Sequence, residues 1–189
     1  MLQIAITPYD FFKHEVDYII AILDAGWDYV HLRHPDASLC EMRTLINTIP
    51  ECYHNRLRLH NHFELSKEFN LGGLHLNQRS PIPPSDYSGS LSRSCHSIDE
   101  MLQNNGLDYV TLSPIFDSTS KVGYKSAFID TELMKITVDN HAVALGGITP
   151  ETVMRLSQFK FIGYAVLGYL FNAPYIFKLK KRLTQFEIN

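Results

Sequence analysis

Eight times along the chain a short run of β-branched and apolar residues gives way to a stretch with helical spacing, and this alternation leaves few folds open. Strands that each lead into a helix pair in parallel through crossover connections. The runs are Leu2 to Thr7, Tyr29 to Arg33, Leu57 to His60, Gly73 to Leu76, Leu91 to Cys95, Tyr109 to Leu112, Ala142 to Leu145 and Tyr164 to Leu167. Eight parallel strands close into a (β/α)8 barrel, so the expected class is α/β, a compact TIM barrel. An open doubly wound sheet is the alternative that the same alternation permits.

Helix signals agree with the strand spacing. Gly26 stops the first helix after Ala25. Ser97 and Glu100 form a capping box, and Thr149-Pro150 supplies an N-cap followed by proline at the first helical position. Asn172 to Pro174 opens a last helix whose residues Tyr175, Leu179, Leu183 and Phe186 build one apolar stripe. A length of 189 residues fits a single domain over 1–189. Barrels of this kind run to ~250 residues, so loops must be tight and one helix reduced. Pro81, Pro83 and Pro84 mark Asn77 to Gly89 as that place, because clustered prolines cannot sustain a helix.

Composition narrows the partners. Seventeen Lys and Arg against 20 Asp and Glu give a net charge of -3, without the basic excess that a nucleic-acid partner requires. Lys178, Lys180, Lys181 and Arg182 concentrate at the C-terminal end, where they complement a helix dipole. No apolar run approaches the ~18–20 residues of a membrane span, so no membrane partner is expected. Cys40, Cys52 and Cys95 form no CxxC pair, and their odd number points to reduced thiols and a cytoplasmic protein. A homo-oligomer stays open.

In a parallel barrel the chemistry sits just past the C-terminal ends of the strands. The residues there are polar: Thr7, His31 and Arg33, His60 and Asn61, Asn77, Ser94 and His96, and Ser113. Ala144 to Pro150 runs from a strand through Gly146-Gly147 into a capped helix, which lets backbone N–H groups approach negative charge. The next strand ends at Leu167-Gly168, and loops after strands seven and eight frequently bind phosphate. Gly146, Gly147, Leu167 and Gly168 are therefore the expected phosphate ligands. His31 and Arg33 share one strand face, and the Arg33 fork suits an anionic group. Asn61 joins them at the rim.

His96, between a strand and the capping box, can remove and return a proton near neutrality and is the candidate catalytic residue. His75 sits inside an apolar strand and reads as a hydrogen-bonded core histidine. The long connection after strand six reads as a lid in which Ser118, Ser120 and Lys121 complete an anion pocket. No HExxH or Cys/His pattern is present, and the rim strands end in His, Asn, Ser and Arg where magnesium would want carboxylates, so no metal or cofactor is expected.

These motifs together resemble the thiamin phosphate synthase and TenI superfamily. Gly26 to Arg33 resembles its second-strand motif, Leu74-His75-Leu76 its fourth, Ser113 to Lys121 its sixth and Gly146-Gly147-Ile148 its seventh. The synthase branch joins a pyrimidine pyrophosphate to thiazole phosphate and needs magnesium held by two aspartates. At those positions this chain has His62 and Ser80, and Pro35 replaces a pyrophosphate-binding lysine. The TenI branch is the better match, through His31, Asn61-His62 and Arg93-Ser94-Cys95-His96-Ser97. In that branch the histidine matching His96 is implicated in proton transfer during aromatising tautomerisation of a thiazole carboxylate phosphate. The resemblance thus implies an isomerase of thiamin biosynthesis with a phosphorylated thiazole as its small-molecule partner and no cofactor. Two alternatives stay open: a thiamin phosphate synthase using magnesium, and a non-catalytic regulator that binds thiazole phosphate.

Overall fold

A computed structural model describes residues 1–103, 106–117 and 125–186. The eight runs form strands β1 (Leu2–Ile6), β2 (Tyr29–Leu32), β3 (Leu57–Leu59), β4 (Gly73–Leu76), β5 (Ser90–Cys95), β6 (Tyr109–Leu112), β7 (Ala142–Leu145) and β8 (Gly163–Val166). All neighbours pair in parallel, and β8 returns to β1 through Leu2–Gly163 and Ile4–Ala165, which closes the barrel and rules out the open sheet. β1, β2, β3 and β8 stop one residue before the sequence runs do, so Thr7, Arg33, His60 and Leu167 stand just beyond the ladder, at the rim.

The helices are α1 (Glu15–Asp24), α2 (Leu39–Thr48), α3 (Leu65–Glu68), α4 (Ile98–Leu102), α5 (Asp130–Leu133), α6 (Pro150–Val153), α7 (Gly168–Phe171) and α8 (Ile176–Thr184). Gly26 follows α1 with φ +88°, a left-handed turn that glycine enters at little cost. Thr149 caps α6 by accepting from the Thr152 N–H at 3.3 Å, with Pro150 next. No helix forms across residues 77–89.

Two local expectations change. Ser97 caps α4 as expected, but the Glu100 carboxylate reaches one residue further back and accepts from the His96 N–H at 2.6 Å. Tyr175 is 58% exposed at the N-cap of α8, so the buried stripe is Leu179, Leu183 and Phe186. The helix begins too late to turn the Tyr175 side chain inward. Phe186 instead packs edge-on against Trp27 at 5.5 Å and face-on against Tyr164 at 5.7 Å, sealing α8 onto the barrel wall.

Alternation along each strand sends every second side chain into the barrel, and the interior splits into two sectors. Ile4, Ile6, Val143 and Ala165 from β1, β7 and β8 form an apolar sector with Tyr109. β2 to β5 contribute His31, Arg58, His75 and Ser92, all buried. The larger apolar core lies outside, between the strands and the helices. Among the described residues no helix is long and apolar enough to cross a membrane.

Candidate active site

A cavity of about 710 Å³ opens at the C-terminal ends of the strands, where a parallel barrel presents its loops, and lies within the range of small-molecule sites. Of the residues singled out from sequence, it brings together Arg33, Asn61, His96, Gly146, Gly147, Leu167 and Gly168. His31 is fully buried beneath the cavity and does not line it. Ser118, Ser120, Lys121 and most of the expected lid lie outside the described residues.

The wall at β7 and β8 is backbone. Gly146 and Gly147 have φ of +94° and +67°, conformations that L side chains rarely adopt. Neither Gly147 nor Ile148 spends its N–H on an acceptor among the described residues. Thr152 holds the turn by donating its hydroxyl to the Gly147 carbonyl at 2.8 Å. Next to it α7 starts at Gly168, and the first turn of a helix leaves its N–H groups free. Two glycine-led turns therefore present unpaired donors to one wall, an arrangement that favours an anion.

The opposite wall carries the charge. The Arg33 guanidinium lies 5.7 Å from the Tyr9 ring centroid and Arg79 lies 6.0 Å from it. Burial, and after it the charge of Arg79, pull Arg33 below its ordinary pKa. Arg79 is tied to Asp36 at 2.7 Å, and Tyr9 donates its hydroxyl to the same carboxylate at 2.5 Å. That Tyr9 bond, then the Arg79 bond, hold the Asp36 carboxyl below the usual range. Asp36 and Arg79 escaped the sequence reading, because nothing local pairs residues 43 positions apart.

His96 lies on the cavity wall near β6. Its Nδ1 is 3.2 Å from the Ser113 carbonyl oxygen, which can only accept, and 3.4 Å from the Ser113 hydroxyl, which can donate or accept, so Ser113 orients the ring from the Nδ1 side. Asn61 donates its amide to the His34 carbonyl at 2.9 Å, and its buried Oδ1 has no partner among the described residues.

The floor is imidazole. His31, His60 and His75 come from three adjacent strands. His31 Nδ1 and His60 Nε2 are 2.9 Å apart, and His31 Nε2 meets the Tyr109 hydroxyl at 2.7 Å. His75 spans the Ser92 and Ser94 hydroxyls at 2.8 and 2.9 Å, which makes it the hydrogen-bonded core histidine expected from sequence. Burial lowers all three pKa values, that of His75 to about 3. Strand alternation applied across β2, β3 and β4 together would have found this cluster.

Magnesium, which the synthase branch uses, fits these residues poorly. Asp36 is the one carboxylate among the described lining residues, and it is committed to Arg79 and Tyr9. His62 uses its Nε2 on the Ala37 carbonyl at 2.7 Å, and imidazoles are not the oxygen ligands a hard cation prefers.

A closed parallel barrel with a polar cavity at the C-terminal ends of its strands defines the class as a (β/α)8 protein. The family model described as thiamine monophosphate synthase matches residues 3–170, and the chain belongs to that family. A solved thiamine phosphate pyrophosphorylase from Bacteroides thetaiotaomicron is 34% identical with a TM-score of 0.88, over 99% of this chain and 96% of that one. The thiamine-phosphate synthase of Clostridium tetani is 27% identical over 173 residues, 85% of this chain and 82% of its own length. A thiamine phosphate pyrophosphorylase from Pyrococcus furiosus, 18% identical with a TM-score of 0.76 over 98% of this chain and 93% of its own, shares the fold.

Proposed function

We propose that this protein is an enzyme of thiamin biosynthesis that aromatises a thiazole carboxylate phosphate by moving a proton through His96. The ligand phosphate sits against the N–H groups at Gly146-Gly147 and at Leu167-Gly168, and Arg33 neutralises the second anionic group on the opposite wall. His96 Nε2 takes a proton from one carbon of the ligand and returns it to another, so the reaction balances without cofactor or leaving group. Ser113 orients the His96 ring through Nδ1.

The observation that carries the reading is His96 on the cavity wall with its Nδ1 engaged by Ser113, in a cavity whose described lining holds a single carboxylate, Asp36. His31 serves from below, orienting His60 rather than touching the ligand. Ser118, Ser120 and Lys121 belong to the proposal as residues that complete the anion pocket when the connection after β6 closes. The test is an aromatisation assay on the wild type and His96→Gln. Loss of turnover with ligand binding retained supports the proton shuttle, and equal turnover sinks it.

A second reading, thiamin phosphate synthase, is favoured by the names its relatives carry. It requires release of diphosphate on joining a pyrimidine pyrophosphate to thiazole phosphate, with magnesium dependence. An assay for diphosphate in the presence of both substrates separates the two reactions.

A further inference from the structure

His31, His60 and His75 take no part in the proton transfer proposed for His96, yet they meet at the base of the same cavity. One nitrogen from each lies within 4.8 Å of the others. The ring centroids are 5.1, 4.7 and 4.3 Å apart for His31–His60, His31–His75 and His60–His75. Imidazoles around one tetrahedral cation at ~2.0–2.1 Å from each nitrogen hold their centroids about 5.2 Å apart. His31 and His60 already have that spacing, whereas the His60 and His75 rings, stacked at 28°, turn apart to face one ion. We propose that this triad is a binding site for a borderline divalent cation such as Zn2+ or Co2+, with its fourth position open to the cavity.

Two further observations support it. The nitrogens that face away from the centre already have partners: His31 Nε2 meets the Tyr109 hydroxyl and His75 Nδ1 the Ser92 hydroxyl, while His75 Nε2 exchanges its Ser94 hydroxyl for the ion. Metal-bound histidines are oriented by such outer hydrogen bonds. The second is access. His60 and His75 line the cavity while His31 is enclosed, so an ion enters from the cavity side and a water or ligand atom completes four-coordination.

In the metal-free protein a proton bridges His31 Nδ1 and His60 Nε2 at 2.9 Å. Metal binding displaces it by a change of tautomer: His31 carries its proton on Nε2, toward Tyr109, and His60 carries its own on Nδ1. The hydroxyls at His31 Nε2 and His75 Nδ1 can donate or accept, so neither of those nitrogens is stranded. The two nitrogens then separate by about half an ångström to reach the ~3.4 Å of a tetrahedral site. All-nitrogen ligation selects zinc, cobalt, nickel or copper over magnesium and calcium. The site is independent of either reading of the reaction.

The test uses the full chain, stripped with chelator and titrated with Co2+ and Zn2+. One equivalent of Co2+ is expected to develop the strong visible absorption of a four-coordinate ion, and Zn2+ to displace it. His60→Gln should weaken binding by more than the roughly 10- to 100-fold that outer-shell changes cost. A weak six-coordinate spectrum, or equal affinity in folded His60→Gln, overturns the proposal by assigning the ion to surface histidines. Should His60→Gln fail to fold, wild-type crystals soaked in zinc decide the matter. An anomalous peak between the three rings supports the site, and peaks at other positions alone refute it.

Discussion

Replacing Gly147 by alanine puts a methyl group where the Gly146-Gly147 turn has no room. A Cβ built there lies 2.4 Å from the Asp117 carbonyl oxygen and 2.7 Å from that of Phe116, both backbone atoms that cannot swing aside. Ordinary contact requires ~3.5 Å, so turn and neighbouring loop must part by about 1 Å. The φ of +67° adds left-handed strain of about 1–2 kcal/mol for an L residue. Overpacking adds roughly 1–3 kcal/mol, for a total of about 2–5 kcal/mol against a stability of ~5–15 kcal/mol. A 1 Å displacement of a binding group can cost ~100-fold, so KM for the phosphorylated ligand should rise between about 10- and 100-fold. Because His96 is held by a different contact, kcat should change far less.

Gly26→Ala supplies the control. Its φ is +88° but nothing lies within 4 Å of the added Cβ, so it carries the strain without the clash. Urea unfolding should give about 1–2 kcal/mol for Gly26→Ala and more for Gly147→Ala, with ligand affinity altered only in the latter. Equal stability and equal ligand affinity in Gly147→Ala and the wild type would refute the reasoning.

Three further outcomes are expected. Burial depresses His75 from 6.5 to about 3, so the unfolded chain binds the extra proton between those values and stability falls as pH drops below 6.5. From pH 7.5 to pH 5 this residue alone contributes a loss of about 2 kcal/mol, and His31 and His60 act in the same direction; urea unfolding of chelator-treated protein showing no such slope contradicts it. Phe186→Ala, which removes the ring between Trp27 and Tyr164, should cost about 3–5 kcal/mol by the same measurement, and a loss under ~1 kcal/mol would show that α8 does not depend on that contact. Arg33→Ala should weaken a ligand bearing both phosphate and carboxylate by about tenfold or more, yet leave unchanged a phosphorylated analogue lacking the carboxylate; calorimetry with the two ligands distinguishes them.

The barrel was legible because each strand is a short apolar or alternating run ended by a polar or glycine residue, and eight such runs have one common closed solution. Gly146-Gly147 was legible for the same local reason, a strand running into a capped helix. The Asp36–Arg79 pair was not, since nothing local joins residues 43 positions apart, and the imidazole floor shows only when alternation is carried across β2, β3 and β4 together. His31 shows the limit of strand alternation, which predicted its face correctly but not its depth: Arg33, two residues on, reaches the cavity while His31 stays one layer below. Tyr175 shows the limit of helical periodicity, because the stripe was counted from a residue that precedes the first turn.

The central claim is that His96 moves a proton on a phosphorylated thiazole carboxylate. Single-turnover aromatisation by the wild type and His96→Gln, with ligand affinity measured on the same samples, addresses it directly. The account predicts turnover in the wild type without added metal and a loss of ~100- to 10,000-fold in the variant at nearly unchanged affinity. Undiminished turnover in His96→Gln, or a wild type that releases diphosphate with magnesium and does not aromatise, would contradict it.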